Sequence, residues 1–516
     1  MQFFDKYKKM SPMPDVGDFI FVFVIWIALF VLPSMLFVDG STGWHLVAGN
    51  YILDNFSVPY TDLNSFTYAD KDWVAYEWLF DAGAAALVRM GGTNLLAVAL
   101  ACMLGFIFVY IYDKCRESGS NIILSSFFTV VAILVSAIHW LARPHVFTYI
   151  FVLIFIASLN GFYQDKLSKK SLFITLVVTM LFWTNIHPSF AMGCIVTLIY
   201  FVVLFFQSFL SSEESIRLKA KSKAITLFLL MAACTLITLV NPYGIKLHVY
   251  IIEYLQGQEI IKGTNEFMSP VFHGGLHETC LEILFLAFIS GLALRKKLTT
   301  PMLLVCLAFA HAALAGIRSM PMFAIVATPA IAYLWSSNST TVKSTSPDSS
   351  PLKKTFKLLC DFQEQEAKCK MHLVPIAITI AFTVIALNGG MLFGNKVINS
   401  GFAEKHLPVK ALEYIKNNSL TESRGLNLDN WGGYLRYKLD HRVFIDDRAD
   451  FYEYKFYYDY SRMMSAAEDY KELLNKYKIE WVLFPKNSQL ANKLRENKNW
   501  QEVASDRASA LFRKIK

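Results

Sequence analysis

The chain has 516 residues, 54% of them hydrophobic and only 17% charged. Soluble globular domains are about 45–50% apolar and about 25% charged, so the composition excludes an ordinary soluble domain and points to a membrane protein. The formal charge of +8 does not mark a nucleic-acid binder, because the basic residues fall in short stretches between apolar runs, the pattern of cytoplasmic loops.

In chain order, a basic "MQFFDKYKKM" precedes an apolar run over 19–38. That run is long enough to span, at roughly 20 residues, and too long for a signal-peptide core, so it reads as a retained anchor. Residues 39–92 follow as a polar loop rich in Asp, Tyr and Trp, which ends in "EWLFDAGAAALVRMGG", residues 77–92. This last stretch has a helical apolar face and a Gly-Gly stop, and it is predicted to lie along the membrane surface. Further spans are predicted at 93–112, 121–139, 146–164, 172–187, 190–210, 225–241, 279–294, 301–317, 319–335 and 373–393. Those at 172–187 and 301–317 are expected to be tilted, broken or part-exposed, because they are short. Residues 336–372, opening with "SSNSTTVKSTSPDSSP", read as a cytoplasmic linker.

Lys6, Lys8, Lys9, Lys114, Arg116, the lysines of "DKLSKKS", those of "SIRLKAKSK", "RKK" at 295–297 and the linker lysines all fall on one side when the N-terminus is placed inside. The fold class expected is therefore mainly α: a polytopic transmembrane bundle of about eleven spans, residues 1–393, with a small extracytoplasmic α/β domain over 394–516. In that domain "VKALEYIKNN" and "AEDYKELLNKYK" have helical spacing, while "RVFIDD" and "EWVLFP" read as short buried strands. The eight cysteines show no CxxC or zinc spacing, and none follows Cys369.

Ionisable residues gather at span ends on the predicted outer side: Asp39, His45, Glu77, Arg143 and His145 of "LARPHVF", His187 of "NIHPSF", Glu266 and Arg318. Singly, such residues serve equally as snorkelling anchors or helix-end groups. Charge at a membrane edge is costly, so their one-sided clustering suggests an outward-open cavity with a carboxylate and several cations. A carboxylate can deprotonate a hydroxyl, and an arginine can hold a phosphate through two parallel bonds. Next to lipid, this combination suits sugar transfer from a polyprenyl-phosphate carrier.

The strings "DGSTGWHLVAGNYIL", "VPYTDLNSFTY", "YEWLFDAGAAALVRMGG", "RPHVFTYIF", "NPYG" and "WGGYLRYKL…RVFIDDRADFY" resemble those of largely uncharacterised bacterial membrane proteins grouped with the GT-C integral-membrane glycosyltransferases. The resemblance covers nearly the whole chain. It implies a bacterial inner-membrane enzyme with a cytoplasmic N-terminus, working on the outer face by inversion. It implies Asp39 as catalytic base, and Arg318 with Arg143 or His187 as holders of the departing lipid phosphate. The implied partners are a polyprenyl-phosphate sugar donor, a glycan, lipid or protein acceptor, and membrane lipids. Many members carry a second acid two residues after the first, where this chain has Ser41, so no metal or other cofactor is expected as a requirement. Asp62 or Glu77 is an alternative second acid. Asp62 also suits turn capping, and Glu77 also suits the positive end of the surface helix. Trp44, Trp73 and Trp78 suit sugar stacking or interfacial anchoring. Asp447 and Arg448, in "DDRADFY", either cap the cavity or form a solvated turn. A transporter or flippase, and a non-catalytic assembly subunit, are the competing functional classes.

Overall fold

The computed structural model describes residues 13–256, 265–336 and 371–515, with positions 362, 363, 365, 366 and 369. Most of the expected linker, Cys360 included, lies outside the described residues. The protein is mainly helical, with a small C-terminal mixed sheet.

Each span expected from the sequence falls on a helix. These are α1 (Val16–Trp26), α3 (Trp78–Glu117), α4 (Ile122–Ala137), α5 (Val146–Tyr163), α6 (Lys169–Ile186), α7 (Ala191–Leu210), α8 (Glu214–Ile237), α10 (Leu276–Leu292), α11 (Thr300–Ala315), α12 (Met320–Trp335) and α13 (Leu373–Leu387). The shorter α2 (Ser41–Asn55) and the amphipathic α9 (Ile245–Gln256) lie between them. By length and composition, five helical segments can cross a membrane: Trp78–Glu117, Val146–Tyr163, Pro188–Leu210, Glu214–Ile237 and Ile317–Trp335. Val16–Val31, Ile122–Ala137, Thr300–Ala315 and Leu373–Leu387 are shorter apolar helices.

Several boundaries differ from the sequence reading, each for a local reason. The first apolar run does not stay helical to Val38. A π-helical turn at Ile27–Val31 ends at Leu32, whose φ of −129° and ψ of 62° reflect the Pro33 that follows. Residues 388–390, Asn-Gly-Gly, end α13 early, and the last expected span finishes in a hairpin, β1 (Met391–Leu392) with β2 (Asn395–Lys396). The basic stretch before the span at 225–241 is itself helical, and Lys219 and Lys223 of α8 pair with Asp165. The Gly-Gly at 91–92 does break the helix as expected: Gly91 (φ −147°, ψ 22°) and Gly92 (φ +66°, ψ −170°) leave the helical region, and α3 resumes directly after them. The φ of Gly92 is open to glycine and strained for other residues.

The C-terminal part contains α14 (Val409–Asn417), β3 (Gly425–Asn427), α15 (Asp429–Leu439), α16 (Tyr454–Met464), α17 (Tyr470–Lys476), β4 (Trp481–Pro485), α18 (Gln489–Arg495), β5 (Trp500–Ser505) and β6 (Ser509–Lys514). Its sheet has the order β3-β4-β6-β5, with β3 and β4 parallel and the rest antiparallel. Strand alternation splits β4 between two cores. Val482 and Phe484 join the large core that continues from the helical bundle, while Trp481 and Leu483 face a smaller one with Ile415 and Leu511. "EWVLFP" is thus a buried strand. "RVFIDD" is not in the sheet. Val443 pairs instead with the first polar loop, accepting from the Phe66 amide at 2.9 Å and donating to the Asn64 carbonyl at 2.9 Å.

This pairing begins a long seam between the first loop and the C-terminal part. Its tightest point joins α2 to α15 through glycine. A Cβ at Gly43 would lie 2.1 Å from the Gly433 carbonyl oxygen, and one at Gly40 would lie 2.2 Å from that of Asn430. No larger residue permits that approach.

Candidate active site

Asp39 follows a single 3-10 turn, Met35–Phe37, at the end of the first apolar run. Its Oδ1 accepts the Ser41 amide at 2.7 Å, so Asp39 helps to start α2, where a negative charge is favourable. Its Oδ2 lies 3.3 Å from Arg143 Nη1. Arg143 belongs to the turn between α4 and α5, which is docked on the same segment. The Ala142 amide donates to the Leu36 carbonyl at 2.7 Å, and the Thr42 hydroxyl donates to the Ala142 carbonyl at 3.2 Å.

Arg143 bridges two carboxylates, since Glu266 Oε1 is also 3.3 Å away. Burial raises the Glu266 pKa, but Arg143 and then Arg318 outweigh it and hold the carboxyl below its ordinary range. Arg318 forms no ion pair of its own among the described residues. Its guanidinium lies 4.5 Å from the Phe267 ring centre, and the neighbouring Ile317 amide donates to Met268 at 2.9 Å. The cluster therefore has one doubly matched arginine and one unmatched.

The seam brings in a second carboxylate. The Ser41 hydroxyl donates to Asp447, and Trp44 Nε1 donates to Asp447 Oδ1 at 3.0 Å. Burial, and after it the charge of Asp39, push the Asp447 pKa up to about 7 against the pull of Arg143. Ser41 thus holds an acid from the far end of the chain close to Asp39. Each oxygen of Asp39 and Asp447 already has a protein donor.

Arg448 is placed differently from the sequence expectation of a cavity cap. Its Nη2 lies 2.6 Å from Asp62 Oδ1 and 2.6 Å from Asp446 Oδ2. The guanidinium sits between aromatic rings, 4.6 Å from Trp73 and 4.6 Å from Phe451. Its charge fastens the 446–450 loop to the first loop. Asp62 does cap its turn, accepting the Asn64 and Ser65 amides, and it also receives Arg448. The loop is buried at this point, not solvated: Asp446 is 0% exposed. Asp450 Oδ2 accepts both Tyr250, at 2.7 Å, and Tyr76, at 3.2 Å.

The histidines form a largely neutral flank. Glu77, at the start of α3, makes no helix-capping bond. It faces His45 Nε2 at 3.9 Å and His187 Nε2 at 3.6 Å instead. Burial pushes the Glu77 pKa up to about 8, although Arg143 opposes it. Burial, then Arg143, hold His45 well below its ordinary value. Burial and neighbouring His139 do the same for His145. These imidazoles act as neutral hydrogen-bonding groups, so the positive charge of the cluster rests on Arg143 and Arg318. His187 Nδ1 meets the Ser189 hydroxyl at 2.6 Å, and His145 Nε2 lies 2.9 Å from the His139 carbonyl.

The residues singled out from the sequence lie in one region, linked through Arg143, Asp447 and Glu77. Sequence reasoning missed Asp81, whose Oδ1 is 2.7 Å from His45 Nδ1, and His139, whose ring stacks 4.1 Å from that of His145. Asp81 stands four residues after Glu77, a spacing that puts both acids on one helix face. That signal was present in "EWLFD".

No family model matches the chain, and no curated protein matches it significantly. Solved structures do. The Archaeoglobus fulgidus oligosaccharyltransferase in its apo form aligns at TM-score 0.55 and 11% identity, over 91% of this chain and 69% of that one. The same enzyme tethered with an acceptor peptide containing the NVT sequon aligns at TM-score 0.56 and 13% identity, over 91% and 68%. Arabinofuranosyltransferase AftD from Mycobacteria covers 96% of this chain and 41% of its own, at 11% identity and TM-score 0.49, too low to carry an argument. At these identities the likeness is one of fold: this chain, with its several helices long and apolar enough to cross a membrane, shares its fold with the solved oligosaccharyltransferase.

Proposed function

We propose that the protein is an inverting glycosyltransferase that moves a sugar from a polyprenyl-phosphate-linked donor to a glycan, lipid or protein acceptor, on the outer face of a bacterial inner membrane. Asp39 Oδ2 takes the proton of the acceptor hydroxyl. The acceptor oxygen attacks the anomeric carbon, and the bond from that carbon to the phosphate oxygen breaks. The electron pair leaves on the lipid phosphate, whose charge is received by Arg318 and Arg143. Asp447, beside Asp39, helps to orient the incoming hydroxyl.

One observation carries this reading. A carboxylate at the end of the first span is held between an arginine and a second carboxylate, with an unmatched arginine beyond, at one end of a bundle with this fold. The test is a transfer assay on purified protein with a polyprenyl-phosphate sugar, comparing wild type with Asp39→Asn. The amide keeps a carbonyl oxygen to accept the Ser41 amide, so folding is retained while basicity is lost. Loss of a general base typically lowers the rate by about 10²–10⁴. Turnover of the variant at the wild-type rate would sink the mechanism.

The orientation, and the division into a membrane part at 1–393 and an outer domain at 394–516, belong to the same proposal. In sealed cells an impermeant thiol reagent should label Ser57→Cys or Asn487→Cys and leave Cys360 untouched. Labelling of Cys360 would invert the topology.

A further inference from the structure

Beside the Asp39 cluster, and sharing none of its polar residues, lies an open cavity of about 1040 Å³ between the end of the first apolar helix and the C-terminal part. One wall is aliphatic. Val31, Leu32 and Val38 line it, and they are 45%, 49% and 37% exposed, continuous with the lipid-facing side of that helix. The other wall carries Lys405, Lys416 and Lys438, which come from the stretch before α14, the end of α14 and the end of α15.

These lysines outnumber the acids of the cavity. None of the three makes an ion pair among the described residues. Glu404 and Glu413 also line the cavity, but neither pairs with a lysine. Lys438 lies over the rings of Phe402, at 5.7 Å, and Tyr437, at 5.6 Å. Burial, together with the charge of Lys416, lowers its pKa. Two ammonium groups thus press on one another where a bound anion would relieve both.

We propose that this cavity holds the headgroup of an anionic phospholipid, with its phosphate among the three lysines and its acyl chains along Val31 and Leu32. The two walls favour an amphiphile. A free phosphate gains nothing from the aliphatic side, and a purely apolar partner leaves the lysines unmatched. The depth is appropriate, because the apolar helix ends here, and lysines near a membrane surface attract anionic headgroups. The bound lipid would anchor the C-terminal part to the bilayer beside Val38, one residue before Asp39. This inference does not depend on the catalytic proposal.

The experiment is native mass spectrometry of the detergent-solubilised full chain. It would be titrated with dioleoylphosphatidylglycerol, with dioleoylphosphatidylcholine, and with inorganic phosphate as competitor. The wild type should retain the anionic lipid in preference to the zwitterionic one, and millimolar phosphate should not displace it. The triple variant Lys405→Gln, Lys416→Gln, Lys438→Gln should bind the anionic lipid more weakly by roughly five-fold per lysine removed, the fold-change equal to ~1 kcal/mol. The triple arginine variant should keep the preference. A wild type without preference, a glutamine variant that binds as wild type, or displacement by phosphate alone would each overturn the proposal. If the glutamine variant melts early, loss of the preference in a well-folded arginine variant would overturn it equally.

Discussion

The two ends of the helical bundle each gather buried charge, and they treat it in opposite ways. At one end His372, just before α13, reaches Asp18 at 2.9 Å and Asp113 at 3.3 Å, tying α1, α3 and α13 together. Beside it Glu366 accepts from Tyr112 at 2.6 Å and pairs with Arg116 at 3.0 Å. Asp15 lies 3.8 Å from the His372 imidazole and accepts the Asp18 amide, so three carboxylates share one histidine and each is engaged by a protein group. At the other end Arg143 is shared by two acids, Arg318 has no ion pair among the described residues, Glu77 faces two histidines, and Asp447 is bonded to Ser41, two residues after Asp39. A matched knot fastens helices, whereas a mismatched one leaves charge available to a ligand.

The largest effect should come from forcing the mismatched end apart. Gly43→Ala favours α2 by helix propensity, by ~1 kcal/mol, yet its Cβ meets the Gly433 carbonyl at 2.1 Å. Overpacking of this kind costs about 1–3 kcal/mol, and moving α15 draws Asp447 away from Ser41. Transfer activity should fall at least ten-fold. Gly83→Ala, on a helix face with nothing within 4 Å, should leave activity unchanged. Equal behaviour of the two variants would show that the close approach is not needed.

A smaller and more selective effect is expected at the unmatched arginine. Arg318→Lys keeps the charge but loses the planar fork that bonds phosphate in parallel. One lost charge-assisted bond is worth about 1.5–3 kcal/mol, so the donor KM should rise on the order of ten-fold or more, with little change for the acceptor. An unchanged donor KM would reduce Arg318 to a membrane-edge anchor.

The smallest effect belongs to the matched end and concerns stability alone. Hydrogen bonding to Asp113, with further help from Asp18 and against burial, raises the His372 pKa from 6.5 to about 9. A folded value above the unfolded one stabilises fully below pH ~6.5, and the gain is lost as pH rises through about 9. His372→Gln should lower the melting temperature by a few degrees near pH 6, the difference should vanish by about pH 10, and transfer activity should not change. A pH-independent difference would show that the imidazole acts by packing.

The helices were legible because apolar length and the placement of lysines are local properties of a chain, and Asp39 was legible because a carboxylate at a span end is costly. What escaped was pairing across distance. Nothing in "RVFIDD" announces that its partner is the 64–66 segment and not the sheet. Nothing in "DGSTG" announces that Ser41 is matched by Asp447. The role expected of Arg448 changed for the same reason, since its partner Asp62 lies in a different loop. Where a signal was local, as for Pro33 and for Asp81 four residues after Glu77, it was present in the sequence.

The bond from Ser41 to Asp447 joins residues 406 positions apart, which bears on how the protein is made. A ribosome adds about 5–20 residues per second, so roughly 20–80 s separate the synthesis of the two partners. For most of that interval Asp39 and Arg143, 104 positions apart, have both been made, but Asp447 has not. A chain halted anywhere before residue 447 therefore carries an open, half-built site. On the proposed mechanism, assembly of the seam between α2 and α15 is the step that completes the site.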